Sequence, residues 1–232
     1  MDRINNYIMP SILNNNNLKN CLMYHSFSIN NISRYSMHIN QFKKHRMNND
    51  YILTYDDGAE SLYNYRDIIY SKGKNQLIFI RTDKINKIKY LSSSQIYSIS
   101  KHIGIQSHSF NHTNHFHLDN KQIKEQGNKS KKILEDITGC PVTDYSFPGG
   151  YWTFRCIKIL AENGYRNFFT SIPFFFRKKI YYNGIDLNLF GRVEVYSPGY
   201  KNIQGYLKFN IRLLRLLRHI YSFTNSYIKS RT

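Results

Sequence analysis

Short apolar runs that alternate with longer amphipathic stretches constrain the fold of this chain more than any other feature of its sequence. Polar residues or glycines flank the runs, which is typical of buried strands; they span residues 21–24, 51–55, 77–80, 103–107, 145–147, 166–170 and 192–195. Strands separated by helical segments pair in parallel, because each crossover returns the chain to the same end of the sheet. The sequence therefore predicts a barrel or an open α/β sheet.

Three of the intervening segments have helical patterns with recognisable ends. Apolar residues recur on one face of residues 119–138, with Asp119 as the predicted N-cap and Gly139 as the predicted stop. Residues 61–72 and 154–163 are also predicted helices, and a glycine that can end the helix follows each of them.

We expect one barrel domain in residues 21–200, preceded by a poorly ordered segment in residues 1–20. We expect residues 201–232 to form a C-terminal basic helix and tail, because residues 206–223 have the pattern of an amphipathic helix. This helix either docks on the core with a solvated basic face or lies on an anionic membrane surface, and its sequence leaves both interpretations open.

Composition restricts the function classes only weakly. The formal net charge is +18, from 33 Lys and Arg against 15 Asp and Glu, and such a charge attracts anionic partners. The basic residues are scattered, however, and no compact basic run is interleaved with aromatics, so nucleic acid ranks behind the other candidate partners. An acidic or phosphate-bearing partner and peripheral membrane association remain open.

The cysteines and the N-terminus restrict the cellular setting. Three cysteines without C-x-x-C spacing argue against a disulfide framework and against a cysteine-based metal site. The sequence shows no apolar core of signal-peptide length and no uncharged apolar window of about 18 residues. We therefore expect a cytoplasmic protein, with a peripheral position at the inner membrane face also open.

Two motifs that follow predicted strands carry groups suited to catalysis. Asp56 and Asp57 come directly after the strand of residues 51–55, and a turn at Gly58 would bring both carboxylates toward one pocket. One carboxylate can then bind a metal ion while the other handles a proton. An Asp-Asp-Gly sequence alone is more often only a turn.

The second motif is His108-Ser109-Phe110-Asn111-His112, which follows the strand of residues 103–107. Histidines at i and i+4 of a helical turn face the same way and can hold one metal ion. Because His115 and His117 lie close by, spacing alone does not select the pair.

A third motif, which follows the strand of residues 145–147, contains a proline and two glycines that permit close approach of a ligand to the backbone. Two aromatic residues that could stack on a sugar ring come next. The candidate substrate-binding residues of this loop are Pro148, Gly149, Gly150, Tyr151 and Trp152.

Together the three motifs resemble those of the polysaccharide deacetylase family, also known as carbohydrate esterase family four or the nodulation-protein-B homology domain. The resemblance covers residues 21–196, and the stretch that ends at His25 is similar to the family's less typical branches. It implies a distorted, incomplete (β/α) barrel of about seven parallel strands that binds a divalent metal ion, often zinc. It also implies that Asp57, His108 and His112 ligate this ion and that Asp56 is the catalytic base.

Departures from the family pattern concern the groups around the base. The arginine that often orients the base is missing from the third motif, where Ser146 and Phe147 stand instead. The usual Leu-x-His, which supplies the general acid, is replaced near residues 191–195 by Gly-Arg-Val-Glu-Val. His25 is a candidate for the general acid, although a structural role is at least as frequent for such a histidine.

The residues therefore predict a metal-dependent hydrolase that removes acetyl groups from N-acetylated sugars of a polysaccharide or glycan precursor. The alternative is a catalytically weakened relative that binds glycan without turning it over. Retention of Asp56 weighs against this alternative, because a binding protein has no need of the base.

Overall fold

The computed structural model describes residues 20–30, 35–44, 51–172 and 177–195. The predicted N-terminal segment (except residue 20) and the predicted C-terminal helix and tail lie outside these residues. The described residues form the strands β1 (Asn20–Tyr24), β2 (Ser26–Ser28), β3 (Ser36–His38), β4 (Tyr51–Tyr55), β5 (Gln76–Ile80), β6 (Gly104–Ser107), β7 (Asp144–Ser146), β8 (Asn167–Thr170), β9 (Arg177–Tyr182) and β10 (Ile185–Glu194).

Seven of these strands form a closed parallel barrel, which confirms the predicted fold class. They pair in the order β1-β4-β5-β6-β7-β8-β10, and β10 also pairs in parallel with β1. Strand β9 is antiparallel to β10, while β2 and β3 form a separate parallel pair. Because the barrel strands are parallel, their carboxyl ends meet at one rim, where barrel proteins place their functional groups.

Helices cover the outside of the barrel: α1 (Ile39–Lys44), α2 (Ser61–Asn64), α3 (Arg66–Tyr70), α4 (Ser93–Ile99), α5 (Asn120–Thr138) and α6 (Phe154–Glu162). Both predicted ends of α5 are confirmed: the Asp119 carboxylate accepts a hydrogen bond from the Gln122 N–H, and Gly139 has a φ of 68°. The single helix predicted over residues 61–72 is wrong, because the chain leaves helical geometry at Tyr65. The sequence analysis also missed the strands β2, β3 and β9 and the helices α1 and α4.

Two apolar cores pack against the two faces of the barrel wall. The larger core lies between the strands and the helices. The smaller one fills the barrel interior and consists of the side chains of Cys21, Ile52, Leu77, Phe79, Phe169 and Phe190. Side chains alternate between the two faces along each strand, so the inward positions that follow this layer point toward the carboxyl-end rim. The barrel interior is therefore filled by apolar side chains toward the amino ends of the strands and is polar at the carboxyl-end rim.

Two further sequence expectations concern cysteines and membrane spans. All three cysteines are free thiols; two are buried, and Cys140 is only partly so. Within the described ranges, no helix has the length and apolar character needed to cross a membrane.

Near the amino ends of the strands, a chain of polar side chains crosses from β7 to β9. The Asn167 amide donates to Asp144 Oδ1 at 2.7 Å, the Asn188 amide donates to Asn167 at 2.8 Å, and Arg177 donates to Asn188 at 2.8 Å. Burial raises the pKa of the Asp144 carboxyl to about 6, although hydrogen bonds from Asn167 and Thr143 oppose the rise. The folded barrel therefore favours the protonated form of this carboxyl.

We expect Asp144→Asn to gain stability relative to the wild type as the pH rises. An unfolded aspartate releases its proton near pH 4, whereas folded Asp144 keeps it up to about pH 6. The wild type thus loses up to about 3 kcal/mol of unfolding free energy between pH 4 and 7, and the amide variant avoids this loss. Urea unfolding at pH 4 and 7 measures the difference, with exposed Asp136→Asn as the control. A difference that does not change with pH would contradict the assignment.

Candidate active site

The two adjacent aspartates lie at the carboxyl end of β4. Asp57 and Gly58 adopt left-handed backbone conformations, with φ of 72° and 75°, so the chain turns back where the sequence predicted a turn. Asp56 is buried in the barrel, while the Asp57 side chain is 34% exposed at its edge. A Cβ at Gly58 would lie 2.9 Å from the end of the Ile80 side chain, which would have to shift, and the left-handed conformation itself favours glycine.

The two histidines of the second motif also face one another, but by a different route from the predicted one. The segment from His108 to His112 is a loop, and the helical turn predicted there is wrong. Ser109 and His112 have φ of 65° and 61°, and the His112 N–H donates to the Ser109 hydroxyl at 2.9 Å. As a result, the two imidazole rings meet with their centroids 4.8 Å apart.

Asp57, His108 and His112 together could hold a metal ion. Asp57 Oδ1 lies 3.6 Å from Nε2 of each histidine, and the three ligand atoms lie within 4.8 Å of one another. Zinc ligands bind at about 2 Å, so two atoms on one ion lie at most about 4 Å apart. Both 3.6 Å separations satisfy this limit, the two imidazole nitrogens lie at most 4.8 Å apart, and one carboxylate with two imidazoles is a donor set that zinc accepts.

The protonation states of the imidazoles suit metal binding. His108 Nδ1 lies 2.9 Å from the Ser146 carbonyl oxygen, which can only accept a hydrogen bond. The proton is therefore on Nδ1, and the Nε2 lone pair faces Asp57. Burial, together with the nearby His108, lowers the pKa of His112 and favours its neutral, metal-binding form.

The structure distinguishes these histidines from the two others nearby. His115 Nδ1 donates to the Thr113 carbonyl at 3.0 Å, and its Nε2 accepts from the Tyr145 hydroxyl at 2.8 Å. Burial lowers the pKa of His115 to about 4, so its ring is neutral and both nitrogens are occupied. His117 is exposed. Neither His115 nor His117 belongs to the cluster of Asp57, His108 and His112. The sequence spacing of the four histidines did not make this distinction.

Asp56 is held by a buried arginine that the sequence analysis did not assign to the site. Arg192 on β10 donates to both carboxylate oxygens of Asp56, each at 2.7 Å. The Ser146 hydroxyl adds a hydrogen bond to Asp56 Oδ2 at 3.2 Å and accepts one from Arg192 at 2.8 Å. Asp56 Oδ2 also lies 3.7 Å from His108 Nε2. An arginine on the last barrel strand thus binds the Asp56 carboxylate, whereas the sequence analysis had looked for such a residue in the third motif.

The guanidinium of Arg192 has an acceptor for each of its five N–H donors. Besides the two bonds to Asp56 and the one to Ser146, it donates to the Thr54 hydroxyl at 3.2 Å and the Thr170 carbonyl at 3.3 Å. Burial of a charge is costly unless the charge is paired and its hydrogen bonds are made. This ion pair meets both conditions although each residue is almost fully buried.

The charge state of Asp56 follows from this environment. Burial by itself would raise the pKa of the Asp56 carboxyl, but the Arg192 charge, the nearby His108 and the hydrogen bonds from Arg192 lower it well below its ordinary value. Asp56 is therefore a carboxylate at neutral pH, with an orientation fixed by a bidentate partner.

The loop after β7 reaches the same rim through a short 3-10 turn at Pro148–Gly150. Gly149 and Gly150 have φ of 64° and 75°, and a Cβ at Gly150 would collide with Ser171. The Gly150 N–H donates to the Phe147 carbonyl at 2.8 Å. That hydrogen bond occupies the Gly150 N–H, so this group is not available to bind a ligand.

The two aromatic residues of this loop differ in accessibility. Tyr151 is 52% exposed and lies against Phe116, itself 54% exposed, with ring centroids 5.9 Å apart. Trp152 is partly buried against the larger core, and its ring packs edge-on to that of Phe154 with centroids 5.5 Å apart. Phe116 and Tyr151 therefore form an exposed aromatic pair. The sequence analysis did not predict this pair, because it named Tyr151 but not Phe116 as a candidate.

Comparison with known proteins identifies the family. The sequence pattern of the family described as polysaccharide deacetylase matches residues 43–168, which is more than half of the 232 residues. The chain therefore belongs to the polysaccharide deacetylase family.

Individual relatives agree with this identification. A Bacillus subtilis (strain 168) protein, provisionally named polysaccharide deacetylase YxkH, is 26% identical over 126 residues, which make up 53% of this chain and 44% of that protein. The chain thus spans less than half the length of this curated relative.

Solved structures share the fold at lower identity. The polysaccharide deacetylase BC0361 from Bacillus cereus has a TM-score of 0.61 and 18% identity, over 77% of this chain and 65% of that one. The Streptococcus pyogenes deacetylase PplD, solved in complex with acetate, has a TM-score of 0.63 and 15% identity, over 76% of this chain and 92% of its own.

We expect Arg192→Met to lower the unfolding free energy by about 3–5 kcal/mol, because it leaves the buried Asp56 carboxylate without its partner. Addition of Asp56→Asn removes that charge, so the double variant should lose clearly less than the sum of the two single changes. Guanidinium unfolding of the four proteins gives the coupling energy. Exposed Arg155→Met is the matched control, expected within about 1 kcal/mol of the wild type. Additive effects at Arg192 and Asp56 would contradict the ion pair.

Proposed function

We propose that this protein is a metal-dependent deacetylase that removes acetyl groups from N-acetylated sugars of a polysaccharide or glycan precursor. The observation that carries the proposal is the position of the Asp56 carboxylate beside the ligand cluster of Asp57, His108 and His112. Membership of the polysaccharide deacetylase family supports it. The acetate complex of the similarly folded PplD is consistent with release of the same product.

Asp57, His108 and His112 would hold a divalent cation, for which we propose zinc. When bound, the cation polarises the acetamide carbonyl and makes a neighbouring water more acidic. The three side chains fix its place at the rim. The hydrogen bond from His108 Nδ1 to the Ser146 carbonyl keeps the ring oriented, as a carbonyl partner commonly does for a ligating histidine.

Asp56 would act as the general base, accepting a proton from the water that attacks the acetyl carbon. Its carboxylate is ionised and cannot rotate freely, since Arg192 binds both oxygens. Hydrogen bonds from Arg192 and Ser146 occupy three of its four lone-pair positions, which leaves one position on Oδ1 to accept the proton. The two adjacent aspartates thus differ in environment as the two proposed roles require: Asp57 is at the open edge and Asp56 is buried on an arginine.

The exposed rings of Tyr151 and Phe116 would give a sugar ring an apolar face to stack on, beside the loop of Gly149 and Gly150. The N–H groups of Gly149 and Tyr151 remain candidates to hold the oxyanion. The net charge of +18 would favour an acidic or phosphate-bearing substrate, such as a nucleotide- or lipid-linked precursor.

Two aspartate variants test the proposed division of roles. Asp57→Ala should lose the bound metal and acetate release together, whereas Asp56→Asn should retain the metal and lose acetate release by ~10²–10⁴-fold. Metal analysis of the purified protein and acetate assays on N-acetylglucosamine oligomers and nucleotide sugars measure both properties. Asp136→Asn, on the exposed face of α5, is the matched control and should change neither.

The same experiment identifies the result that would refute the proposal. Acetate release that is unchanged in Asp57→Ala, or that does not depend on metal in the wild type, would contradict the proposed roles. A protein that binds metal and glycan but releases no acetate would be the weakened, glycan-binding relative.

A further inference from the structure

Arg81 stands at the carboxyl-end rim and has no role in the proposed deacetylation. It directly follows β5, which pairs in parallel with the two strands that precede the candidate ligands, β4 and β6. Ile80 is level with Ser107, so Arg81 is level with His108. Because the Arg81 backbone is still extended and side chains alternate along a strand, its side chain leaves the chain on the same side as Phe79, which points into the barrel.

The guanidinium of Arg81 is fixed on one side and open on the other. Its Nε and Nη2 donate to the two carboxylate oxygens of Asp83 at 2.8 Å and 2.9 Å, and Nη2 also donates to the Asn111 carbonyl at 3.3 Å. The two N–H groups of Nη1 have no acceptor among the residues that the structure describes, and the side chain is 21% exposed. An arginine that is already oriented in this way can bind an oxyanion with little further loss of side-chain freedom.

Two observations place this guanidinium beside the candidate metal ligands. Asn111, whose carbonyl accepts a hydrogen bond from Arg81, directly precedes His112. The hydrogen bond to Asp83 is the main cause of a raised pKa for Arg81, and the charge of Asp57 contributes to the same rise. A group bound to Nη1 of Arg81 would therefore lie next to the site of the proposed reaction.

The segment that follows Arg81 makes this side of the rim basic. The cationic side chains of residues 81–90 are those of Arg81, Lys84, Lys87 and Lys89. Backbone hydrogen bonds hold the segment on the turn after Asp57, since the Leu91 N–H donates to the Gly58 carbonyl at 3.0 Å and the Glu60 N–H donates to the Lys89 carbonyl at 2.9 Å. Of the three acidic residues on the turn and the segment, Asp57 is the proposed ligand and Asp83 is paired with Arg81, which leaves Glu60 against the remaining lysines.

We propose that Arg81 binds an oxyanion of the substrate, a carboxylate or a phosphate, carried by the N-acetylated sugar or by its neighbour in the glycan. The inference rests on the proposed function and deepens it, because it assigns to one residue beside the site a preference that net charge alone only suggests. Asp83 and the Asn111 carbonyl hold the guanidinium in place, and Nη1 makes the contact with the anion.

Strand order shows how this contact would fit with the aromatic one. Strand β6, which His108 and His112 follow, lies between β5, which Arg81 follows, and β7, which precedes the loop of Tyr151. Arg81 and Tyr151 would thus contact a glycan on opposite sides of the two histidines. A sugar ring on the aromatic side and an anion on the basic side would set the direction in which the glycan lies across the rim.

Acetylated substrates with and without an anion test the proposal. The neutral substrate is an N-acetylglucosamine tetramer, the carboxylate substrate is a hyaluronan tetrasaccharide, and the phosphate substrate is N-acetylglucosamine 1-phosphate. We expect the wild type to prefer one anionic substrate, which identifies the anion. Arg81→Gln should lower kcat/KM on that substrate ~10–100-fold more than on the neutral tetramer, because a hydrogen bond to a charged group is lost. Arg81→Lys, which keeps the charge without the fixed geometry, should retain part of the preference.

A matched control and the metal content separate recognition from structure. Arg66→Gln changes another partly buried arginine that donates to a backbone carbonyl, on the outer helix α3, and should leave all three activities unchanged. A merely structural role for Arg81 would lower the metal content and reduce the activity on all three substrates equally. That result, or a wild type that favours neither anionic substrate over the tetramer, would overturn the role of Arg81 and leave the deacetylase proposal standing.

Failure of the proposed function gives a different result. A wild type that releases no acetate from any of the three substrates would refute the deacetylase proposal. Titration calorimetry with the hyaluronan tetrasaccharide and N-acetylglucosamine 1-phosphate tests Arg81 without turnover. We expect one of them to bind ~10–100-fold more weakly to Arg81→Gln than to the wild type, and equal binding of both compounds to the two proteins would overturn the proposal.

Discussion

The buried ion pair between Asp56 and Arg192 is the interaction on which the rest of the site depends. Removing two charges from water costs several kcal/mol per ion, and only close pairing with complete hydrogen bonding offsets that cost. Here the guanidinium has an acceptor for every N–H, and the carboxylate is bound at both oxygens. The pair joins β10 to β4 across the intervening β1, so the contact that orients the proposed base also links side chains across the strands that close the barrel.

The environment of the pair explains how a charge can be tolerated inside a seven-stranded barrel. The aromatic rings of Phe79 and Phe169 lie below it, with centroids 5.4 Å and 6.0 Å from the guanidinium carbon. These distances permit a cation–π attraction. The rings also close the interior, so that the polar groups face only the rim. The barrel interior thus has an apolar layer that excludes water and a polar layer that holds the side chains of the site in place.

Three of the six non-glycine residues with left-handed backbone in the described part of the chain lie where the ligand cluster forms. Asp57, Ser109 and His112 all have left-handed conformations, which cost about 1–3 kcal/mol each for residues other than glycine. Without these turns, neighbouring side chains such as those of Asp56 and Asp57 would point to opposite sides of the chain. The strained backbone directs both carboxylates and both imidazoles toward one side of the rim. The binding free energy of a metal ion there would help to offset the free energy of this strain.

Much of this arrangement could be predicted from the sequence, because its signals are local. The apolar runs gave the barrel strands, and Asp119 and Gly139 gave the ends of α5. The Asp-Asp-Gly and His-x-x-x-His motifs located the segments of the candidate cluster, and the resemblance to the family selected Asp57, His108 and His112 within them. The strand pair β2 and β3 was missed because three-residue strands have too short a pattern, and β9 was missed because none of its residues is buried.

Arg192 and Glu194 were missed for a different reason. Their partners, Asp56 and His25, lie 136 and 169 residues away along the chain, and neither pairing leaves a local pattern. The signal available was the pair of charges within the apolar strand that ends near residue 195. Such charges require buried partners, but only the strand order shows that β10 lies next to β1 and close to β4.

The most direct test of the account is a crystal structure of the protein grown with zinc, with anomalous diffraction at the zinc edge to locate the ion. The account predicts one ion at about 2.0–2.2 Å from Asp57, His108 and His112, with Asp56 still paired to Arg192 and outside ligand distance. An ion bound by Asp56 in place of Asp57, or no ion among these three side chains at saturating zinc, would contradict it.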